Sequence, residues 1–210
     1  METISTLVVT IATIISLFYY KKFINTPYVY FIYYLTYTLF TEVMGVLFGH
    51  ILLIYNVFIY NIYTIVTFIF YFLFFRLLFK SNKLKKLMVA FLLSYILFIF
   101  LDLLVLKPNF FKNSYTHIFV FGSILLISTL ILFLIEIINN KFAIFKYKET
   151  LIFWICIGTL LFFIGVLPVM ISVEYLKYEG LYDIVVATLN IIMYGSFSYG
   201  FINSNPKYNY

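Results

Sequence analysis

The chain has 210 residues, 65% of them hydrophobic and only 10% charged, with a mean hydropathy of +1.08. A soluble domain carries about 25% charged residues, so water cannot solvate this much apolar surface and a lipid-embedded protein is expected. The net charge of +6 would suggest nucleic acid in a soluble chain, but here the basic residues sit in short loops between apolar runs. They are better explained as topology signals and contacts to anionic headgroups.

A hydrocarbon core about 30 Å thick needs roughly 20 apolar residues in a helix. Runs of that kind predict an all-α bundle of seven transmembrane helices, near residues 3–20, 28–53, 57–79, 86–106, 115–138, 150–172 and 181–203. The whole chain reads as a single transmembrane domain, with no separate soluble output domain expected. The start, Met1-Glu2-Thr3, lacks the basic region of a secretory signal, so the first run is expected to stay as a span. The second and third runs are interrupted only near Tyr55-Asn56. One helix of that combined length would overshoot the bilayer, so a turn is predicted there.

The charges are sorted by side. Lys21 and Lys22, then Arg76, Lys80, Lys83, Lys85 and Lys86, then Lys141, Lys146 and Lys148, and finally Lys207 fall on one side, eleven of the fourteen basic residues. Lys107, Lys112 and Lys177 fall on the other, with Glu2, Glu174 and Glu179. Positive loops stay cytoplasmic. The N-terminus is therefore expected outside and the C-terminus inside, which an odd number of spans also requires. A helical bundle belongs in a bacterial inner, cytoplasmic membrane, because outer-membrane proteins are barrels.

Ionisable and polar groups at bilayer depth are costly and usually face the bundle interior. In the second span Thr38, Glu42, Gly45 and Gly49 share one helix face. The glycines would admit a close neighbour, and Glu42 is either a proton, cation or ligand site or one half of a structural interhelical hydrogen bond. His50 ends that span. In the third, Tyr60, Tyr63, Thr64, Thr67 and Tyr71 form a polar seam of low specificity.

Asp102, near the end of the fourth span, and His117, at the start of the fifth, fall at a depth similar to His50 and Asp183. Two histidines and one or two carboxylates suit a divalent metal, but no close ligand spacing supports one, and no metal or other cofactor is assigned. Glu136 is expected to reach the cytoplasmic interface near Lys141, and Cys156, alone in an apolar run, is read as a structural buried thiol. The seventh span carries Asp183, Ala187, Asn190 and Tyr194 as a stripe. Asn190 both donates and accepts; it is a candidate partner for Glu42, or helix glue.

Several activities lack their residues. The last span has no lysine for a retinal Schiff base, there is no HExxH, and no Gly-rich phosphate loop occurs. Inverted repeats with paired broken helices, common in transporters, are not visible; only Pro168 lies inside a predicted span.

Four stretches carry a resemblance: Tyr60-Asn61-Ile62-Tyr63-Thr64, Asn113-Ser114-Tyr115-Thr116, Phe153-Trp154-Ile155 with Gly158, and Leu189-Asn190-Ile191-Ile192. In order and spacing the chain resembles a family of small seven-span bacterial integral membrane proteins. The resemblance implies a seven-helix module similar in layout to the membrane input regions of some sensor kinases. It brings no assigned catalytic residues, and it implies an acidic residue where this chain has Thr67.

The sequence thus supports the expectation of a stand-alone membrane sensor or receptor-like module rather than an enzyme. Its small or lipidic ligand would sit in the outer half, among Glu42, His50, Asp102, His117, Asp183 and Asn190, and a cytoplasmic or membrane partner would read the helix shift. The alternatives are a small-solute or proton-coupled carrier using Glu42, and a structural subunit of a membrane complex.

Overall fold

The computed structural model describes residues 2–53, 55–106, 111–139, 150–176 and 182–205. Among them the regular structure is helical throughout: α1 (Glu2–Phe18), α2 (Tyr20–Phe23), α3 (Tyr28–Val46), a π turn (Leu47–Ile51), α4 (Val57–Leu78), α5 (Asn82–Leu106), α6 (Thr116–Asn139), α7 (Leu151–Leu176) and α8 (Tyr182–Asn203). Lys107, Lys141, Lys146, Lys148, Lys177, Glu179 and Lys207 of the charge-sorting argument lie outside the described residues, as do the side chains of Glu2, His50 and Glu174.

Six helical stretches are long and apolar enough to cross a membrane: Tyr28–Gly49, Val57–Leu78, Asn82–Leu106, Thr116–Asn139, Leu151–Ser172 and Tyr182–Asn203. They support a multi-pass helical membrane protein. The first predicted span is shorter than expected. Its helix stops at Phe18 after 17 residues, about 25 Å at 1.5 Å per residue, and the chain breaks at Tyr19 before the four-residue α2.

The outward faces are those of a protein solvated by lipid. On α1 the exposed residues Ile4, Leu7, Ile11, Ile14 and Phe18 recur at helical spacing, while Val9, Ala12, Thr13 and Ser16 turn inward. The buried hydroxyls return to their own helix, Thr13 to Val9 O at 2.9 Å and Ser123 to Phe119 O at 2.7 Å. Local satisfaction of this kind is what a medium without water demands.

The chain divides into two compact units. The first comprises Met1–Leu39 and Leu130–Tyr210, the second Phe40–Thr129. Helices α3 and α6 each run unbroken through the division.

In the first unit α7 and α8 pack closely through small residues. A Cβ on Gly158 would lie 3.0 Å from Met193 O, and one on Gly200 would lie 2.8 Å from Trp154 Cβ. Phe31 of α3 meets Phe197 edge-on at 5.1 Å, and Phe23 of α2 meets Phe201 at 5.5 Å. Thr13 adds a hydrogen bond across to Leu35 O at 3.3 Å.

Lys22 closes this unit. Its ammonium donates to Phe201 O at 3.2 Å and Ile202 O at 3.4 Å, two of the last carbonyls that a helix leaves without intrahelical partners. The charge also meets the negative end of the α8 dipole and lies over the rings of Tyr19 and Phe23 at 5.2 and 5.3 Å. Partial burial pulls the ammonium below the usual lysine value. Lys22 is therefore a cap on the last carbonyls of α8. Lys22→Met keeps the stem and removes the donor; it should cost about 1 kcal/mol of unfolding free energy in micelles. Lys22→Arg should recover most of that loss, and equal stability of Met and Lys at this position would refute the cap.

The second unit is built on aromatic rings. Phe68 of α4 lies edge-on to Tyr95 of α5 at 5.4 Å and to Phe119 of α6 at 5.9 Å, and Phe72 meets Tyr95 at 5.9 Å. Lipid tails are as apolar as these rings, so shape and ring geometry hold the unit rather than escape from water. On α5 the buried residues are Met88 and Tyr95, and the Tyr95 hydroxyl finds no hydrogen-bond partner among the described residues.

Candidate functional site

One end of the second unit gathers the polar groups. There α3 passes into the π turn, in which Leu52 N reaches back five residues to Leu47 O at 3.0 Å. Isolated π turns are rare and recur at functional sites. The chain then reverses before α4, with Leu53 at φ 55°, a left-handed conformation uncommon for a branched residue. Gly45 and Gly49 form the close-approach face expected from their spacing. A Cβ on Gly45 would collide with the Tyr60 hydroxyl, and one on Gly49 would lie 2.7 Å from Asn56 Nδ2. That same amide donates to Gly45 O at 3.1 Å, so α4 is seated against the end of α3.

Asn61 fixes the approach to α6. It is 3% exposed. Its Nδ2 donates to Asn113 O at 2.9 Å, and its Oδ1 accepts from Tyr115 N at 3.1 Å. Tyr115 is the residue before α6, and its carbonyl accepts from Phe119 N at 3.0 Å. One buried side chain thereby satisfies both a loop carbonyl and a backbone donor at the helix start. Two of the stretches that carried the resemblance meet in this contact.

Beside it, α5 and α6 run antiparallel. The Asp102 carboxylate approaches His117 Nδ1 at 3.9 Å, and one turn deeper Phe98 and Phe121 stack at 4.3 Å. The Asp102 side chain is only 7% exposed, whereas that of His117 is 45% exposed. Burial first, and the Asp102 charge second, raise the Tyr115 phenol above its ordinary value, which places the carboxylate within electrostatic reach of Tyr115. Lys112 lies 5.9 Å from the Tyr55 ring centre in the same unit.

The six residues singled out by the sequence separate as follows. Asp102 and His117 come together. Glu42 lies half-buried on α3 in the same unit, and the backbone of His50 forms part of the π turn. Asp183 and Asn190 belong to α8 in the first unit. The Asn190 amide donates to Ser5 Oγ at 3.0 Å, joining α8 to α1. Asp183 is exposed in the first turn of α8, where a negative charge suits the helix dipole. Among the described residues no group of three or more His, Cys, Asp or Glu could hold a metal ion.

Sequence reasoning passed over Asn61 as a site residue, although it named the stretch around it. Its partners lie 52 and 54 residues away, a separation that carries no local spacing signal. A buried amide early in an apolar span, with an Asn-rich loop beyond the next span, is the one hint the sequence offers.

Set against protein-family models, curated proteins and solved structures, the chain finds no match in any of the three comparisons.

Proposed function

We propose that this chain is a sensor or receptor-like module with seven spans, its N-terminus outside and its C-terminus cytoplasmic. In this reading the end bearing Asp102, His117 and Asn61 faces outward and receives a small or lipidic ligand. The observation that carries the reading is the Asp102–His117 approach, a buried carboxylate facing an accessible imidazole. Such a pair responds to a ligand by changing its separation, and it sits on the two helices that would feel the change.

Two further features support it. Helix α6 is continuous from Thr116 to Asn139, so in this reading a displacement at its first turn is carried along the helix. The short α1 completes the seventh crossing with its flanking Tyr19 and Tyr20, aided by local thinning of the bilayer. The partner is a cytoplasmic or membrane protein, and the membrane is the bacterial inner one.

The test is purification of the native protein in nanodiscs, with mass spectrometry of what accompanies it. A stoichiometric partner is expected, and Asp102→Asn should change its retention several-fold. A protein that arrives alone and carries a solute would reject the sensor. Uptake into liposomes that depends on pH and is abolished by Glu42→Gln would then establish the carrier instead.

A further inference from the structure

The ammonium of Lys22 has three N–H groups. Two are spent on Phe201 O and Ile202 O. The third has no oxygen or nitrogen acceptor among the described residues. Both carbonyls are neutral, and the negative end of a helix dipole amounts to about half a charge. Lys21, next in the chain and exposed, adds a second full positive charge. No carboxylate forms an ion pair with either lysine among the described residues. Burial lowers the Lys22 ammonium, and no neighbouring acid opposes it. This end of the first unit therefore carries positive charge that the chain itself does not neutralise. A lysine that only set topology would stay in water, as Lys21 does; Lys22 is drawn partly out of it.

The depth of that charge identifies the anion available to it. Tyrosine and tryptophan gather at membrane–water interfaces, and two pairs of them lie at this end. The hydroxyls of Tyr20 and Tyr33 are 3.0 Å apart, and Trp154 meets Tyr199 at 4.4 Å, within a turn of Phe201. Leu17 and Phe18 of α1 and Ile202 of α8 are exposed and apolar. Lys22 thus lies at headgroup level, where interfacial aromatics meet lipid-facing side chains. The anions fixed at that level are lipid phosphates, which carry oxygens for the remaining N–H and a charge for the ammonium. Water would accept the hydrogen but leave the charge.

We infer that Lys22, with Lys21 beside it, binds the phosphate of an anionic phospholipid where the end of α8 meets α2. Lys22 gives its third N–H to one phosphate oxygen, and Lys21 supplies an ammonium for another. The exposed apolar face of α1 receives the acyl chains. The site belongs to the first unit and stands whether or not the chain is a sensor.

The experiment is native mass spectrometry of the full-length protein released from mixed phosphatidylglycerol and phosphatidylcholine nanodiscs, lipids that differ in net charge. The wild type should retain phosphatidylglycerol about tenfold over phosphatidylcholine, and Lys21→Met and Lys22→Met should each cut that preference about fivefold. Lys22→Arg should keep most of it. Lys83→Met, at an exposed lysine in the first turn of α5, is the control and should leave it unchanged.

No preference for phosphatidylglycerol in the wild type overturns the inference. So do equal losses in Lys21→Met and Lys83→Met, because the lysines then act only as diffuse surface charge. The Lys21 side chain makes no hydrogen bond or ion pair among the described residues, so Lys21→Met decides the matter even if Lys22→Met does not fold. Inorganic phosphate separates the sources. If it raises the unfolding temperature of the wild type in phosphatidylcholine nanodiscs, but not that of Lys21→Met, and phosphatidylglycerol is not retained, the site takes a soluble phosphate and the lipid is overturned.

Discussion

Asn61→Leu should lower the free energy of unfolding in micelles by about 1–4 kcal/mol, the largest single-residue effect expected away from the helix seams. Leucine has the same four-atom branched side chain as asparagine, so the change removes polarity while keeping the shape. Two backbone groups lose their partners together, Asn113 O and Tyr115 N. Leaving the buried Tyr115 donor unsatisfied costs about 1–3 kcal/mol, and the Asn113 carbonyl, on an exposed residue, adds about 1 kcal/mol or less. Asn61→Asp separates the two halves of the contact. It keeps an acceptor for Tyr115 N but sets an oxygen against Asn113 O, so it should recover only part of the loss. Thermal unfolding of the three proteins in one detergent decides the matter. Indistinguishable midpoints would mean that the loop before α6 takes its order from elsewhere.

Gly158→Val should be comparably damaging, for a different reason. The nearest atom to a Cβ at this position is a backbone carbonyl, Met193 O at 3.0 Å, with Ser196 Cβ at 3.0 Å and Phe197 Cε1 at 3.2 Å beyond it. A flexible side chain could swing aside; a helix backbone cannot without α8 moving as a body. Overpacking of a tight core costs about 1–3 kcal/mol even for small additions, and a branched side chain belongs at the upper end of that range. Gly195 provides the internal control, because a Cβ there meets nothing within 4 Å. Gly195→Ala should be neutral, or stabilising by up to about 1 kcal/mol through helix propensity. If both substitutions prove equally mild, α7 and α8 are not held by close approach at Gly158.

Much of the architecture is legible in the sequence because one physical constraint dominates it. An apolar run has to be long enough to cross lipid, and its backbone has to satisfy itself. That suffices to mark the helix from Val57 to Leu78, the one from Asn82 to Leu106, and the reversal between Ile51 and Val57. The π turn at Leu47–Ile51 is not legible in the same way. It differs from the helix before it by one residue in hydrogen-bond spacing, and residues 47–51 are as apolar as their neighbours. The end of α1 at Phe18 is equally silent, since Tyr19 and Tyr20 continue the helical composition.

The candidate site divides along the same line. Depth along each span is enough to group Asp102 with His117. It does not reveal the 3.9 Å approach, which depends on how α5 and α6 are rotated. Glu42 and Asn190 match in depth too, yet the donor of Asn190 goes to Ser5, a residue whose small hydroxyl draws no attention in an apolar run. Lys22 has the converse history. The sequence reads it as a charge in a short loop, but its carbonyl partners lie 179 and 180 residues further on.

That last separation has a kinetic consequence. The groups that close the first unit are far apart along the chain, Lys22 with Phe201 and Ser5 with Asn190. At about 5–20 residues per second, some 10–40 s pass between synthesis of α1 and arrival of α8. During that interval α1 is in the membrane without the helix it packs against, and the ammonium of Lys22 has no carbonyls to cap. The second unit, residues 40–129, is complete well before then. Assembly is therefore staged by the ribosome. The second unit can fold while the first is still being made, and the first closes as a late event when α1 and α8 meet.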